Sequence, residues 1–234
     1  MAEPLLRCEK LEVGYGGHRV LPPISLEVRP GEFWAVIGRN GSGKSTWFKT
    51  ILGMLAPVGG ELIRSPGLKM GYVPQRSAFD EIYPLTGCEV VAQALDRGWS
   101  FLRPRSLHRH DEVHHAVELV GAEAFADRPF RSLSEGQKQR ILLARLVVAK
   151  AQVAFLDEPT AAMDPVAEEE ALAQVDRIRQ EQGTAVLVVS HNLNVARHHA
   201  HRAIYLDKEQ VAVGTPDEIF SLPVFQTRYA EALD

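Results

Sequence analysis

Uninterrupted apolar runs, each followed by a polar turn, are the clearest pattern in the chain. They are FWAVIG at 33–38, VAFLD at 153–157 and AVLVVSH at 185–191. Runs without alternation are typical of strands covered on both faces, as in a parallel sheet flanked by helices. We expect RAIYLDK at 202–208 and QVAVGTP at 210–216 to form a strand pair or hairpin at the sheet edge. The pattern predicts an α/β core with a mainly parallel central sheet.

Two other stretches have different periodicities. Residues 5–30 alternate apolar and polar positions around turn-rich segments, which predicts short antiparallel strands at the N-terminus. Apolar residues recur three and four apart in Glu89–Gly98 and in Asp111–Gly121, which predicts helices. We therefore expect an inserted α-helical subdomain over residues 77–132.

The composition is that of a globular protein, because 45% of the 234 residues are hydrophobic and 24% are charged. The length agrees with one or two domains. We expect a single domain over 1–234, with the α/β core and its β subdomain in 1–76 and 133–234. The net charge of −4 provides no overall basic field, so we expect no nucleic-acid partner.

Cysteine usage and the apolar windows both predict a cytoplasmic protein. Cys8 and Cys88 have neither CxxC nor Cys/His metal-site spacing, so we expect buried thiols in a reducing compartment. The N-terminus lacks the apolar stretch of a secretion signal. The longest apolar window, 141–156, is interrupted by Arg145 and Lys150, and no membrane span is predicted.

The sequence GRNGSGKST at 38–46 fits the G-x-x-x-x-G-K-[ST] pattern of a phosphate-binding loop (P-loop), between an apolar run and a predicted helix. Its glycines let the backbone aim N–H groups at phosphate oxygens, and the helix N-terminus adds a favourable dipole. In this motif Lys44 reaches the β and γ phosphates and Ser45 ligates Mg²⁺. The predicted nucleotide-binding residues are Gly38, Arg39, Asn40, Gly41, Ser42, Gly43, Lys44, Ser45 and Thr46.

A second site follows the strand predicted at 153–157. A strand directs successive side chains to opposite sides, so Asp157 and Glu158 are expected to have different tasks. We expect Asp157 to hold Mg²⁺ and Glu158 to polarise the attacking water. Together with the P-loop, the pair predicts a P-loop NTPase.

LSEGQKQR at 133–140 is similar to the LSGGQ signature of ATP-binding cassette (ABC) proteins, and the chain resembles the nucleotide-binding subunit of that family. Ser134, Gly136 and Gln137 match the signature, whereas Glu135 replaces its central glycine. GTP-binding proteins, the nearest alternative, need an NKxD-type base-reading motif, which is absent from the sequence. The resemblance implies that ATP with Mg²⁺ is bound and hydrolysed.

Further positions match the family individually. Tyr15 lies where the family places an aromatic residue on adenine, and Gln75 where it places a glutamine that contacts Mg²⁺ and the attacking water. His191 matches the histidine that contacts the γ phosphate. In AAMD at 161–164, Asp164 of the family's SALD loop is retained and Ala161 replaces the serine. Taken singly, Tyr15 and His191 would each also suit a packing role.

The resemblance implies a head-to-tail dimer with a second copy or a related ATPase subunit. Ser134, Gly136 and Gln137 of one subunit would bind the γ phosphate held by Lys44 of the other. The chain has one cassette and no coiled-coil insertion, which favours a transporter subunit over the non-transport members of the family. It would bind polytopic transmembrane permease subunits through the helical subdomain, on the cytoplasmic face of the cell membrane. An extracytoplasmic substrate-binding protein would be a further partner of the complex.

The cargo is indicated by the segment at 72–91, which resembles the zinc, manganese or iron importers. YVPQR is followed there by an acid, an aromatic-proline-hydrophobic-threonine step and a helix start with paired valines. The matching residues are Asp80, Tyr83, Pro84, Leu85, Thr86, Glu89, Val90 and Val91. Lipid-transport and export ATPases remain the main alternatives.

Nine histidines raise the question of a metal-sensing site. His110 and His114 are four residues apart and would share one helical face, but no acid or cysteine completes a metal shell by sequence. We therefore expect solvated or packed histidines.

Overall fold

The computed structural model describes residues 2–74, 85–95, 107–161, 163–190 and 192–233. The strands, in chain order, are β1 (Leu6–Glu12), β2 (Gly14–Tyr15), β3 (His18–Arg19), β4 (Ile24–Val28), β5 (Phe33–Ile37), β6 (Gly59–Arg64), β7 (Met70–Val73), β8 (Val153–Asp157), β9 (Ala185–Val189), β10 (Arg202–Leu206) and β11 (Val211–Gly214). The helices are α1 (Lys44–Ile51), α2 (Gly87–Ala92), α3 (Leu107–Leu119), α4 (Glu135–Val148), α5 (Pro165–Gln182), α6 (Leu193–His199), α7 (Pro216–Phe220) and α8 (Pro223–Leu233).

The central sheet has six strands in the order β11-β10-β5-β9-β8-β7. Five of them are parallel, from β10 through β7, and β11 pairs antiparallel with β10 at one edge. The predicted parallel core and the edge strand pair are confirmed. Because parallel strands end at the same edge of a sheet, the loops after β5, β8 and β9 lie side by side.

Both faces of this sheet are covered, which explains its uninterrupted apolar runs. In β8, Val153 and Phe155 belong to one hydrophobic cluster with α1 and the antiparallel strands. Ala154 and Leu156 belong to another cluster, which contains residues of helices α2 to α5. Phe48 of α1 meets Phe155 edge to face, with ring centroids 5.1 Å apart.

The antiparallel strands predicted near the N-terminus are confirmed in a three-stranded sheet of order β4-β1-β6. Cys8, in β1, is buried, whereas Cys88 in α2 is only partly buried, and both thiols are free. Burial raises the pKa of Cys8 to about 12, so this thiol stays protonated and packs as an apolar group.

The two predicted helices of the insert are present with shifted ends. Helix α2 begins at Gly87 because Thr86 and Glu89 form a capping box, and it ends at Ala92 in a 3₁₀ turn. Both helices pack on α4, and one hydrophobic cluster joins them to the central sheet. Residues 75–84 and 96–106 lie outside the described residues, and the first of these ranges is half of the segment at 72–91 used to predict the cargo.

The residues from Pro216 onward form the two helices α7 and α8. Proline at 223 cannot donate a backbone hydrogen bond to α7, and it starts α8 instead. Phe225 of α8 stacks on Tyr229 at 4.5 Å and meets Tyr205 of β10 at 5.6 Å. None of the described helices is long and apolar enough to cross a membrane.

Candidate nucleotide site

The P-loop joins the end of β5 to the start of α1 and requires glycine at specific positions. A Cβ on Gly38 would lie 2.4 Å from the Leu206 carbonyl oxygen and 2.6 Å from Ser42 Oγ. Gly43 has a φ of 105°, a left-handed conformation that favours glycine. The loop therefore folds tightly against β10, and its glycines have a local steric reason.

Helix α1 presents its N-terminus to the space above this loop. Its N-cap, Gly43, provides no side-chain hydrogen bond, and the first turn contains no acid. The first amides of a helix lack partners within the helix, and together with its dipole they favour an anion. The P-loop and α1 thus form an anion-binding end suited to phosphate.

Lys44 lies at the centre of the loop and is only 7% exposed. Its Nζ donates to the carbonyl oxygens of Gly38 (2.7 Å) and Arg39 (3.0 Å). Burial lowers the pKa of Lys44, while the negative charges of Glu158 and Asp157 oppose that shift. A lysine ammonium has three protons, so a third remains for a phosphate oxygen.

Asp157 ends β8 and faces the same loop. Tyr72 Oη donates to Asp157 Oδ2 at 3.3 Å. Desolvation raises the pKa of Asp157, against hydrogen bonds from Tyr72 and Ser45 and the positive charge of Lys44. Burial likewise raises the pKa of Tyr72 to about 12, so Tyr72 stays a donor at neutral pH. Ser45, Asp157 and Lys44 therefore form one polar group, and their predicted roles toward phosphate and Mg²⁺ stay predictions.

Tyr72 also belongs to this site, although the sequence motifs did not predict it. Tyr72 lies in β7, opposite Phe155 in the parallel register with β8. Its position within the motif YVPQR, just before a predicted site residue, was the available signal. Strand order, which the apolar runs do not reveal, was needed to place it beside Asp157.

Glu158 follows Asp157 in a left-handed backbone conformation, with a φ of 51°. Its amide donates to the Val189 carbonyl at the end of β9 (3.1 Å), and its carbonyl accepts from Ala161 N (3.2 Å). A non-glycine residue in this region is uncommon and persists where its surroundings hold it. The backbone thus turns sharply at Glu158, and the side chains of Asp157 and Glu158 line the same cleft.

A cleft of about 390 Å³ joins these residues. Tyr15, 52% exposed, lies at its rim, and its hydroxyl is 3.3 Å from Thr46 Oγ1. A half-exposed aromatic ring beside a phosphate loop has a face available for stacking on a planar ligand. The lining residues are Tyr15, Val20, Asn40, Gly41, Gly43, Lys44, Ser45, Thr46, Asp157 and Glu158.

The residues of the LSEGQ segment are not among the residues that line this cleft. Ser134 caps α4 by accepting from Gln137 N (3.3 Å), and Gln137 Oε1 accepts from Ser134 N (3.0 Å). A Cβ on Gly136 would meet nothing closer than Met163 Cε at 4.0 Å. Glycine at 136 therefore has no steric reason among the described residues of this chain.

Some of the remaining predicted residues lie within the part of the chain that the structure describes, and others lie outside it. Asp164 caps α5, since its Oδ1 accepts from the amides of Val166 and Ala167, both at 3.0 Å. Ala161 is exposed. Gln75 and His191 lie outside the described residues, so their predicted roles stay predictions.

Two histidines of α3, His110 and His114, lie side by side. His110 Nε2 and His114 Nε2 are 3.2 Å apart, as their four-residue spacing predicted. Among the residues that the structure describes, no three histidine, cysteine or acidic side chains are grouped so that they could hold a metal ion.

Comparisons with known proteins agree with the geometry. A family model described as "ABC transporter" matches residues 21–161. The zinc import ATP-binding protein ZnuC of Yersinia enterocolitica is 35% identical over 97% of this chain and 86% of its own. A solved transporter assigned to the metal-chelate ABC type, in an inward-facing conformation, has 25% identity and a TM-score of 0.87, over 97% of this chain and 89% of that one. CbiO1 of Clostridium perfringens, part of the ABC transporter complex cbiONQ, has 24% identity and a TM-score of 0.81, over 99% and 96%.

Proposed function

The chain belongs to the ABC transporter family as an ATP-binding ATPase subunit, and from that premise we propose that it powers the import of a transition metal, with zinc as the first candidate. The observation that carries the ATPase chemistry is one cleft lined by Lys44, Asp157 and Glu158. A cation for phosphate, an acid for a metal ion and a second acid for water are what phosphoryl transfer to water requires.

Different residues of the cleft bind different parts of ATP. The P-loop amides from Gly38 to Thr46 and Lys44 Nζ hold the phosphates, where ATP carries its charge. Tyr15 stacks on the adenine. Because the chain has a net charge of −4, general attraction contributes nothing and these convergent donors provide the binding.

The oxygen donors of the cleft fit Mg²⁺. Ser45 and Asp157 both line the cleft, and both present oxygen, the ligand atom that Mg²⁺ prefers. We assign them, with Gln75, as its ligands. When bound, Mg²⁺ neutralises phosphate charge. The Tyr72 hydroxyl orients the Asp157 carboxylate, since it donates to Oδ2.

Glu158 is the general base of this proposal. Its carboxylate accepts a proton from the attacking water, and the rigid turn at its backbone fixes where that carboxylate lies. His191 is proposed to contact the γ phosphate. Lys44 stays at the phosphates and provides positive charge where negative charge accumulates.

A second subunit completes the site. Gly136 lacks a steric role among the described residues, and Ser134, Gly136 and Gln137 lie outside the cleft lining. We propose that they bind the γ phosphate held by the other subunit in a head-to-tail dimer. Hydrolysis then removes the group that both subunits hold, and the dimer can open.

The cargo and the membrane partners rest on the relatives. Proteins named for zinc import share 35% identity over nearly the whole chain, and a metal-chelate transporter shares its fold. We propose that polytopic permease subunits bind the helical segment formed by α2 and α3, on the cytoplasmic face of the membrane. An extracytoplasmic substrate-binding protein would deliver the metal to them.

Transport by the reconstituted complex tests this proposal. The chain is purified from solubilised membranes with the permease that accompanies it, placed in liposomes, and supplied with radioactive zinc and ATP. We expect ATP-dependent zinc uptake at least about tenfold above the matched Glu158→Gln complex. Lipid movement without metal uptake would overturn the importer assignment and leave the ATPase intact. Equal turnover of ATP by both complexes would overturn the role of Glu158.

A further inference from the structure

One carboxylate outside the nucleotide cleft joins two loops of the catalytic edge. Glu168, in the first turn of α5, accepts a hydrogen bond from Thr160 Oγ1 at Oε1 (2.9 Å) and another from Asn192 Nδ2 at Oε2 (2.9 Å). Thr160 belongs to the loop after β8, and Asn192 to the loop after β9. These strands are adjacent in the sheet, so Glu168 bridges neighbouring loop ends.

Both donors are themselves fixed. Asn192 Oδ1 accepts from Asn194 N (3.0 Å) and caps α6, while the backbone N of Asn192 donates to Ser190 Oγ (3.0 Å). The Thr160 carbonyl accepts from Met163 N (3.1 Å). The Glu168 carboxylate therefore contacts two groups that cannot swing freely. A cavity of about 170 Å³ lies between these loops and is lined by Glu158, Thr160, Ala161, Glu168, Ser190 and Asn192.

Thr160 is two residues from Glu158, whose backbone has a left-handed φ of 51°. Such a conformation persists when several contacts hold it. The contacts here include the bond from Glu158 N to Val189 O, the turn closed by Ala161 N, and the bond from Thr160 to Glu168. Loss of the last bond would remove a side-chain contact that ties this turn to α5.

We propose that Glu168 is a positioning residue for ATP hydrolysis, which holds the turn carrying Glu158 against the end of β9 by accepting hydrogen bonds from Thr160 and Asn192. The inference rests on the proposed role of Glu158 as general base. Glu168 does not line the nucleotide cleft and acts through the orientation of the turn.

The N-terminus of α5 does not need Glu168 for its cap. Asp164 already accepts from two amides of the first turn. An acid in the first turn adds a favourable interaction with the helix dipole, but this would affect stability alone. A purely structural Glu168 would therefore change the melting temperature and leave the kcat of the folded protein unchanged.

The positioning role is tested by exchanging the amide of Asn192 with the carboxylate of Glu168. The Asn192→Asp variant places a new carboxylate opposite that of Glu168. Neither group can donate a hydrogen bond to the other, so the contact between residues 168 and 192 is lost. In the double variant Glu168→Gln/Asn192→Asp, Gln Nε2 can donate to the new carboxylate, and Thr160 can still donate to Gln Oε1. Aspartate also caps helices as well as asparagine, so α6 keeps its cap.

Steady-state ATPase kinetics of the full chain are measured for these variants and for Glu168→Ala, together with their melting temperatures. We expect kcat to fall about 10- to 100-fold in Glu168→Ala and in Asn192→Asp, with the KM for ATP changed less than about twofold. The double variant should recover to within about threefold of wild type. Glu169→Ala removes an exposed acid from the next position of α5 and is the matched control, with unchanged kcat.

Two results would overturn the positioning role. One is a double variant as slow as Asn192→Asp, and the other is Glu168→Ala with a kcat within twofold of wild type. If Glu168→Ala does not fold, the comparison of Asn192→Asp with the double variant decides the question. Absence of turnover in both the wild type and Glu169→Ala would instead overturn the proposed function, and the positioning role with it.

Discussion

At the scale of single residues, the nucleotide cleft is lined by charged groups whose charged forms are disfavoured by burial. Asp157 is desolvated next to Glu158, and Lys44 is nearly buried beneath the P-loop. Burial disfavours the charged forms of both. These charges are compensated because each faces an opposite charge or a hydrogen-bond donor. The proposed ligand, Mg²⁺–ATP, is itself charged and would interact with both.

The charge of Asp157 is therefore expected to lower the stability of the nucleotide-free protein. The pKa of Asp157 in the folded state is raised above its ordinary value of 3.8. Between the ordinary pKa and the raised pKa, the folded protein therefore binds more protons than the unfolded chain. Stability is lost as the pH rises through that window. Asp157→Asn removes this loss, and Tyr72 can still donate to the amide oxygen.

We accordingly predict that Asp157→Asn raises the melting temperature of the nucleotide-free chain at pH 7 and abolishes its stabilisation by Mg²⁺ and ATP. A ligand at one hundred times its Kd stabilises by about 2.7 kcal/mol, or about 5–10 °C for a chain of this size. Scanning fluorimetry with and without Mg²⁺–ATP measures both effects. Glu158→Gln neutralises the adjacent acid and should keep the ligand shift. A retained shift in Asp157→Asn would exclude it as a metal ligand.

At the scale of helices and strands, the same residues can serve the fold and the site. The capping box of α4 is formed by Ser134 and Gln137, two residues that the ABC resemblance assigns to a partner's nucleotide. A capping box with the same geometry starts α7, where Thr215 and Glu218 have no assigned catalytic role. The pair allows the structural and catalytic contributions of Ser134 to be separated.

We predict that Ser134→Ala and Thr215→Ala each destabilise the chain by about 1 kcal/mol, because each removes an N-cap. This corresponds to a melting temperature lowered by about 2–4 °C. ATPase activity should fall about tenfold or more in Ser134→Ala alone, since a hydrogen bond to a charged phosphate is also lost. Thr215→Ala should stay within twofold of wild type. Similar activities for the two variants would mean that Ser134 only caps α4.

The sequence predicted those parts of the fold and site that depend on neighbouring residues. The apolar runs of β5, β8 and β9 and the P-loop glycines are local patterns with local physical causes. Helix ends were less predictable, because the ends of α2 and α7 depend on capping side chains and on a proline. Contacts between distant segments could not be predicted, since hydropathy does not encode strand order. Two contacts of this long-range kind are the hydrogen bond from Tyr72 to Asp157 and the bridge from Glu168 to Thr160 and Asn192.

At the scale of the whole molecule, the cleft of one chain is lined by the groups proposed to bind ATP and to activate water, whereas no LSEGQ residue is among its described lining residues. Gly136 is the most informative of these, because the one atom of the described residues that a methyl group there would meet is Met163 Cε, 4.0 Å away. Alanine at this helical position should leave the isolated chain as stable as before, or slightly more stable. Any loss of function must then arise where another molecule approaches the position.

We therefore predict that Glu158→Gln with Mg²⁺–ATP forms a dimer of twice the 25.9 kDa chain mass, whereas Gly136→Ala/Glu158→Gln stays at the chain mass. The base is removed so that bound ATP persists, and the added methyl group occupies the space into which the other subunit's γ phosphate must come. Size-exclusion chromatography with light scattering measures the masses, and thermal melting checks that the double variant is folded. A dimer of the double variant at the same ATP concentration would contradict the head-to-tail arrangement, as would a dimer of Glu158→Gln that forms equally without ATP.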